Sequence, residues 1–326
     1  TPTYIVEYIV RNTVGKLVTE RDKSPKQLAA FRVLDAACGS GSFLLGVYHC
    51  LLDYYLRWYI EHNPDKYPNA VWQRGEEWRL TVAEKKRILT THVYGVDIDR
   101  QAVEVTKLSL LLKVLEGEST ETLQMALPTF QERALPNLDN NIKCGNSLIG
   151  PDYFTGQLLP DANELHRVNP FDWEHEFPDA MKAGGPSASS GQGFDCVIGN
   201  PPYIRIQMMK EWAPLEVEIY KELYESASSG NYDIYVVFVE KALKLLNKRG
   251  RLGFILPHKF FNAQYGEPLR ALLAKGKHLS HIVHFGDQQV FAGATTYTCL
   301  MFLDKAGSNE CQLAKVDDLA AWRANQ

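Results

Sequence analysis

The sequence has few features of a metal-binding, secreted or membrane-spanning protein. Six cysteines are scattered through its 326 residues, and no two of them form the CxxC pair typical of zinc sites. No apolar run approaches the roughly 18 residues of a membrane span, and the N-terminus has no signal-peptide pattern. We therefore expect mostly buried free thiols in a reducing cytoplasm, no membrane association and no metal site.

The sequence also lacks an excess of positive charge. Lys and Arg number 35 against 39 Asp and Glu, which gives a formal net charge of −4. Tight binding to duplex DNA needs clustered Lys and Arg, so this segment alone is not expected to grip DNA. The chain begins at Thr1, directly in a helix-like pattern, and we interpret it as a domain excised from a longer protein.

Short apolar runs alternate with helical patterns along the chain. Seven runs are typical of buried strands, and they lie near 31–35, 93–97, 142–146, 194–199, 253–256, 281–285 and 296–303. The alternation predicts an α/β fold with a Rossmann-like, doubly wound sheet, mixed but mostly parallel. We expect one catalytic domain over 1–326, with a helical insertion at about 53–90 and a flexible insertion at about 151–193.

A glycine-rich turn, Asp35-Ala-Ala-Cys-Gly39-Ser-Gly41, follows the first predicted strand. Glycines at the carboxyl end of such a strand let the backbone approach a ligand closely. A dinucleotide-binding turn needs a third glycine where Leu44 stands, and the Asp35 carboxylate would repel a pyrophosphate. The turn therefore favours a ligand that carries an ammonium or sulfonium group.

Polar residues also follow the next two predicted strands. Asp97 ends the second strand and is placed to accept hydrogen bonds from both ribose hydroxyls of a nucleoside, whereas Asp99 is interpreted as a helix N-cap. Asn146 and Ser147 follow the third strand. Their amide and hydroxyl could read the edge of an adenine ring or serve only as turn residues.

The most specific motif is Asn200-Pro201-Pro202-Tyr203, directly after a predicted buried strand. Two consecutive prolines stiffen the backbone and remove N–H donors, which leaves the carbonyls there free to accept. With the Asn200 side-chain carbonyl they can bind both hydrogens of a planar –NH₂ group. Tyr203 offers a ring on which the base that carries this amine can stack.

These motifs, in this order, resemble the gamma group of N6-adenine DNA methyltransferases, which includes the Taq-type enzymes and the methylase parts of type IIG restriction-modification proteins. The resemblance implies the class I fold of methyltransferases that use S-adenosylmethionine. It implies that Asn200 to Tyr203 are catalytic, and that Phe291 stacks on the flipped base from the other side. It implies cofactor contacts from Thr1, Pro2, Asp35, Ala36, Cys38, Gly39, Gly41, Phe43, Asp97, Ile98, Asn146 and Ser147. The family more often has Asp where Asn146 stands.

The implied reaction is methyl transfer from S-adenosylmethionine to a flipped-out adenine in double-stranded DNA, without a metal ion and within a prokaryotic restriction-modification system. The family's target-recognition domain is absent from this chain, so contact with DNA is expected through a part outside it. Two alternatives stay open. A glutamine or RNA base methyltransferase shares the Asn-Pro-Pro-Tyr motif, and a non-catalytic DNA-binding subunit could retain the fold.

Overall fold

Strands with the predicted positions form the centre of the computed structural model, which describes residues 1–20, 23–118, 135–154, 162–181, 192–291, 293 and 296–325. The strands are β1 (Val33–Asp35), β2 (Val71–Arg74), β3 (Glu77–Leu80), β4 (Val93–Asp97), β5 (Ile142–Cys144), β6 (Phe194–Gly199), β7 (Leu246–Pro257), β8 (Leu279–His284), β9 (Thr298–Asp304) and β10 (Gln312–Lys315). All seven predicted strands are present, and β2, β3 and β10 are additional.

The α-helices lie between and around these strands. They are α1 (Thr3–Val10), α2 (Lys16–Thr19), α3 (Ser42–Glu61), α4 (Val82–His92), α5 (Arg100–Leu115), α6 (Ala162–Val168), α7 (Trp173–Glu176), α8 (Pro178–Met181), α9 (Ile206–Trp212), α10 (Pro214–Leu223), α11 (Tyr235–Leu245), α12 (Glu267–Lys275) and α13 (Leu319–Ala324). A π-helical turn joins α1 to α2, so the helix predicted from the apolar spacing near the N-terminus is nearly continuous.

Eight of the strands form one sheet in the order β10-β8-β9-β7-β6-β1-β4-β5. Strand β9 is antiparallel to both of its neighbours, and every other neighbouring pair is parallel. This arrangement confirms the prediction of a mixed, mostly parallel sheet. From β1 the chain moves outward to β4 and β5, and it later returns to β6 on the other side of β1. The carboxyl ends of β1 and β6 therefore flank the switch point where open α/β sheets bind ligands.

Both faces of the sheet are covered by helices. Successive residues of a strand point to opposite faces. Val33 accordingly packs with Ile5 of α1, whereas Leu34 packs in a second cluster with Val217 of α10 and Phe238 of α11. Strands β1, β6 and β9 are buried on both faces, in agreement with their near-continuous apolar sequences.

The two predicted insertions contain regular structure. Residues 53–90 hold the second half of α3, the hairpin β2–β3 and most of α4. The hairpin, which the sequence analysis did not predict, turns through Gly75 at φ +63° and buries Val71 against Leu80. Residues 151–193 include α6, α7 and α8. Residues 155–161 and 182–191 of the predicted flexible insertion lie outside the described residues. The assignment of 1–326 to one catalytic domain stays a prediction.

The described part of the chain contains no helix that is both long and apolar enough to cross a membrane. The cysteines are free thiols with a range of exposures. Cys38, Cys196 and Cys299 are buried, Cys50 and Cys144 are half-buried, and Cys311 is exposed.

Candidate active site

The glycine-rich turn after β1 is held in place by α5. Gly39 and Gly41 adopt φ values of +52° and +82°, which favour glycine. The Thr106 hydroxyl donates to the Gly39 carbonyl at 2.7 Å, and a Cβ on Gly41 would lie 2.9 Å from the Thr106 methyl carbon. The second glycine is therefore required by the close approach of a helix as well as by the turn.

The end of β4 is linked to the same turn. One Asp97 oxygen accepts from the Gly39 N–H at 2.8 Å, and the other accepts from the Asp99 N–H at 2.9 Å. Each oxygen keeps a further lone pair with which it can accept from a ligand. Ile98 is 57% exposed, which is unusual for a large apolar residue beside a buried strand. Asp99 caps α5 through the Gln101 N–H, as predicted.

Asp35 lies beneath the switch point between β1 and β6. Its carboxyl is 2% exposed and accepts a hydrogen bond from the Ala37 N–H at 3.1 Å. A Cβ on Gly199 would lie 2.7 Å from the same carboxyl oxygen, so Asp35 touches the last residue of β6. Burial raises the pKa of Asp35 to about 8, and the Asp97 charge adds to this rise while the Ala37 N–H opposes it. A cation bound nearby would favour the ionised form.

The Asn-Pro-Pro-Tyr corner begins directly after β6. The Asn200 amide nitrogen donates to the Thr1 hydroxyl at 3.3 Å, which brings the N-terminal segment to the corner. The Asn200 side-chain oxygen is buried and has no hydrogen-bond partner among the described residues. The Tyr203 hydroxyl donates to the Ile255 carbonyl in β7 at 3.0 Å and fixes the ring of this half-buried residue. The corner thus presents an unused acceptor beside a fixed aromatic ring.

The loop after β5 closes the other side of the switch point. The Ser147 hydroxyl donates to the Ala36 carbonyl at 2.5 Å, and the Asn146 side-chain oxygen accepts from the Leu148 N–H at 3.1 Å. Burial raises the pKa of the Tyr220 hydroxyl on α10, and the nearby Asn146 side chain opposes this rise. Both side chains are buried, and both already have protein partners.

These loops surround one cavity of about 290 Å³. Seven of the predicted site residues line it, namely Ala36, Asp97, Ile98, Asn146, Ser147, Asn200 and Pro202. The carboxylate at the end of β4 and the apolar side chains near it suit a nucleoside, whose ribose has hydroxyl donors and whose base has flat faces.

Helices α9, α10 and α11 form the far wall of the cavity, and the sequence analysis did not predict this. The residues that line the cavity from this wall are Met209, Trp212, Ala213, Glu216, Tyr220, Ile234 and Phe238. Trp212 is 60% exposed at the surface of this wall. A local sequence pattern can indicate that a segment is helical, but it does not say that the helix folds back over the site.

Several predicted residues support the cavity without lining it. The side chains of Cys38 and Phe43 are buried in the core on the α1 side of the sheet, where Cys38 packs beneath Gly95. Pro2 precedes α1, and its carbonyl accepts from the Ile5 N–H. Phe291 is half-buried against the same core and does not line the cavity, so its stacking role stays a prediction.

Two further buried polar atoms lie where β7 ends and β9 begins, and the residues that carry them do not line the cavity. His258 follows β7 and Thr298 begins β9, and these strands pair at Pro257 and Thr298. Within the described part of the chain, neither His258 Nδ1 nor the Thr298 hydroxyl has a hydrogen-bond partner. The His258 ring stacks on His284 at 4.4 Å, and burial lowers the pKa of His258. We call these ends of β6, β7 and β9 the Asn200 side, and the loops after β1, β4 and β5 the glycine-turn side.

The described residues include no group of three or more His, Cys, Asp or Glu side chains that could hold a metal ion. The residues that line the cavity supply hydrogen-bond acceptors, apolar surface and carboxylate groups.

Solved structures share this arrangement of strands and helices. The chain aligns over its full length with 28% of a chain in the cryoEM structure of the DrdV–DNA complex, with a TM-score of 0.59 and 16% identity. It aligns over 97% of its length with 36% of the restriction-modification enzyme MmeI in complex with DNA, with a TM-score of 0.54 and 17% identity. These similarities show that the chain shares its fold with the aligned parts of these two enzymes.

Sequence comparison gives the family. Residues 91–291 match the model of the Eco57I restriction-modification methylase family. The type II restriction enzyme and methyltransferase RM.Eco57I of Escherichia coli is 35% identical over 99% of this chain, which spans 29% of that relative's length. The adenine-specific methyltransferase PglX of Streptomyces coelicolor is 26% identical over 82% of this chain and 20% of its own length. The chain therefore belongs to the Eco57I restriction-modification methylase family.

Proposed function

We propose that the chain is the catalytic domain of a DNA methyltransferase that uses S-adenosylmethionine and methylates the exocyclic N6 amine of adenine. The observation that carries this proposal is the buried Asn200 oxygen, which has no partner among the described residues and lies beside a nucleoside-sized cavity. Membership of a methylase family supports the reaction class. Similarity to a relative named as adenine-specific supports the base.

The residues around the cavity suit S-adenosylmethionine. Asp97 has lone pairs for the ribose hydroxyls, and Ile98 and Pro202 offer apolar surface to the cofactor's adenine. Asp35 supplies a carboxyl group near the turn, where a positive charge is expected. When bound, S-adenosylmethionine supplies a methyl group that is activated by a positively charged sulfur. The proposal requires no metal ion.

Asn200 acts on the amine of the target base. The nitrogen lone pair of adenine N6 is delocalised into the ring, so the amine is a poor nucleophile. The Asn200 side-chain oxygen and the Pro201 carbonyl would each accept one amine hydrogen. Two acceptors held in a rigid corner favour a pyramidal nitrogen with a localised lone pair. The proton leaves the nitrogen after alkylation has made it positively charged, so no strong base is needed.

The target adenine must leave the DNA duplex to reach this corner, at a cost of a few kcal/mol. Tyr203 offsets part of that cost, because stacking of a base on an aromatic ring contributes about 1–3 kcal/mol. Its hydroxyl is bound to the Ile255 carbonyl, so the ring is oriented before the base arrives. Phe291 is our candidate for the opposite face of the base.

Double-stranded DNA is the proposed partner, and a target-recognition region outside this chain would make most contacts with it. The net charge of −4 supports this division, as does the fact that the chain spans 29% of the RM.Eco57I length. The proposal places the protein with the DNA of a prokaryotic cytoplasm, in a restriction-modification system.

The test is to incubate the purified chain with S-adenosylmethionine labelled in the methyl group and with duplex DNA, RNA or a glutamine-containing peptide. We expect the label to enter DNA slowly and to enter neither the RNA nor the peptide. Digestion of the DNA to nucleosides should then give labelled N6-methyladenine. Label in the RNA or the peptide instead would favour the alternatives that share the motif. Cofactor binding without any transfer, even to DNA at high concentration, would favour a non-catalytic subunit.

A further inference from the structure

A buried carboxylate lies in the cavity wall that helices α9, α10 and α11 form. Glu216 lies on α10 and is 6% exposed. It lines the cavity together with Asn146 and Tyr220. Its two oxygens lie 3.0 and 3.1 Å from one nitrogen of Arg167, a residue of α6 whose side chain is 43% exposed.

The Arg167 pair does not exhaust the hydrogen-bonding capacity of Glu216. A carboxylate offers about four lone-pair sites, and a single guanidinium nitrogen placed between the two oxygens uses one on each. Burying a carboxylate costs several kcal/mol, which one ion pair recovers only in part. A second donor from a ligand in the cavity would therefore bind this carboxylate favourably.

The neighbouring polar side chains already have protein partners. The Asn146 oxygen accepts from the Leu148 N–H, and the Ser147 hydroxyl is bound to the Ala36 carbonyl. These two residues were predicted to read the cofactor's adenine, and neither of them carries a charge. In this chain the charged acceptor near that end of the cavity is supplied by α10 instead.

We propose that Glu216 accepts a hydrogen bond from the exocyclic amine of the cofactor's adenine and so selects adenine over a 6-oxo purine. This inference rests on the proposed function, because it assigns the cavity to S-adenosylmethionine. A 6-oxo purine has a carbonyl oxygen where adenine has its amine. That oxygen would face the carboxylate, so two acceptors would meet without a hydrogen between them, and the base would be rejected.

The test is calorimetric binding of S-adenosylhomocysteine and of S-inosylhomocysteine, its 6-oxo counterpart, to the full chain. We expect the wild type to bind the adenine compound about 100-fold more tightly. Glu216→Gln should reduce that ratio at least about tenfold, because the glutamine side chain can donate to the 6-oxo group. The matched control is Glu218→Gln, on the same helix but exposed and paired with Lys221, which should leave the ratio unchanged.

The possible failures are distinguishable. If Glu216→Gln weakens both ligands equally and the ratio stays that of the wild type, Glu216 has only a structural role and the inference is wrong. If the wild type binds neither compound, the proposed function itself is contradicted, whatever the role of Glu216. Should Glu216→Gln not fold, the double variant Arg167→Gln with Glu216→Gln leaves no unpaired charge, and its ratio decides the question in the same way.

Discussion

On the glycine-turn side, Asp97 and Ser147 have protein partners, whereas on the Asn200 side three buried polar atoms have none among the described residues. Asp97 and Ser147 bind the neighbouring backbone. Asn200, His258 and Thr298 each leave an atom unpaired. An unsatisfied buried polar group costs about 1–3 kcal/mol. The first side is therefore organised in advance, whereas the second carries a cost that the proposed substrate amine would remove at Asn200.

The largest expected effect comes from Asn200→Ala. It should slow methyl transfer to DNA about 100- to 1000-fold, because it removes an acceptor that acts on the reacting amine. The Kd for S-adenosylmethionine should change less than about threefold, since the glycine-turn side is intact. Single-turnover transfer and calorimetry measure the two quantities separately. Equal losses in both would contradict the division between the two sides.

Gly199→Ala should damage both sides together. Gly199 has φ +151°, and a Cβ there would lie 2.7 Å from the Asp35 carboxyl. We expect a loss of about 2–3 kcal/mol in the free energy of unfolding, measured by urea denaturation, and weaker cofactor binding. Gly230→Ala is the matched control, because a Cβ at Gly230 meets nothing within 4 Å. Its effect should stay within about 0.5 kcal/mol. Wild-type stability in Gly199→Ala would show that the contact with Asp35 is dispensable.

The pH dependence of cofactor binding tests Asp35. Below about pH 8 the buried carboxyl keeps its proton, so a cationic ligand must first displace that proton. Affinity for S-adenosylmethionine should rise with pH by up to about tenfold per unit and level off near pH 8. Asp35→Asn should remove the part of the pH dependence that comes from the Asp35 proton. The part that comes from titration of the ligand itself should remain. An identical pH profile for the two proteins would exclude Asp35 as the titrating group.

The same pKa has a consequence for the free protein. Burial raises the pKa of Asp35 above its usual 3.8, so the folded state retains a proton that the unfolded chain releases. The stability associated with this proton is present at low pH and is lost as the pH rises from about 4 to about 8. Unfolding at several pH values, compared with Asp35→Asn, measures it.

The smallest effects should differ in sign between the two sides. Ser147→Ala removes the bond to the Ala36 carbonyl and should destabilise the fold by about 1 kcal/mol. Thr298→Val replaces an unpaired buried hydroxyl with a methyl group, and it should leave the fold unchanged or stabilise it by up to about 1 kcal/mol. Thermal unfolding of both variants is the measurement. Destabilisation by Thr298→Val would mean that this hydroxyl has a partner in solution.

Much of this site was predictable because its signals are local. The Gly39–Gly41 turn, Asp97 at a strand end and the corner at Asn200 are each readable within a few residues. Proline, glycine and strand residues restrict the backbone at the positions where they stand. The seven predicted strands were recognised for the same reason, from local apolar runs. The hairpin β2–β3 and strand β10 were not predicted, because they are largely exposed and their sequences show no clear apolar pattern.

The sequence by itself determined which segments are strands, which turns approach a ligand and which corner can hold an amine. Only the tertiary structure decided what these parts meet. Asn200 contacts Thr1 across 199 positions, and Ser147 reaches Ala36 across 111. Helix α10 likewise brings Glu216 into a cavity built by four other loops. Local patterns describe a residue's own backbone and face, whereas cavity walls arise from strand order and helix packing between segments that are distant in the chain.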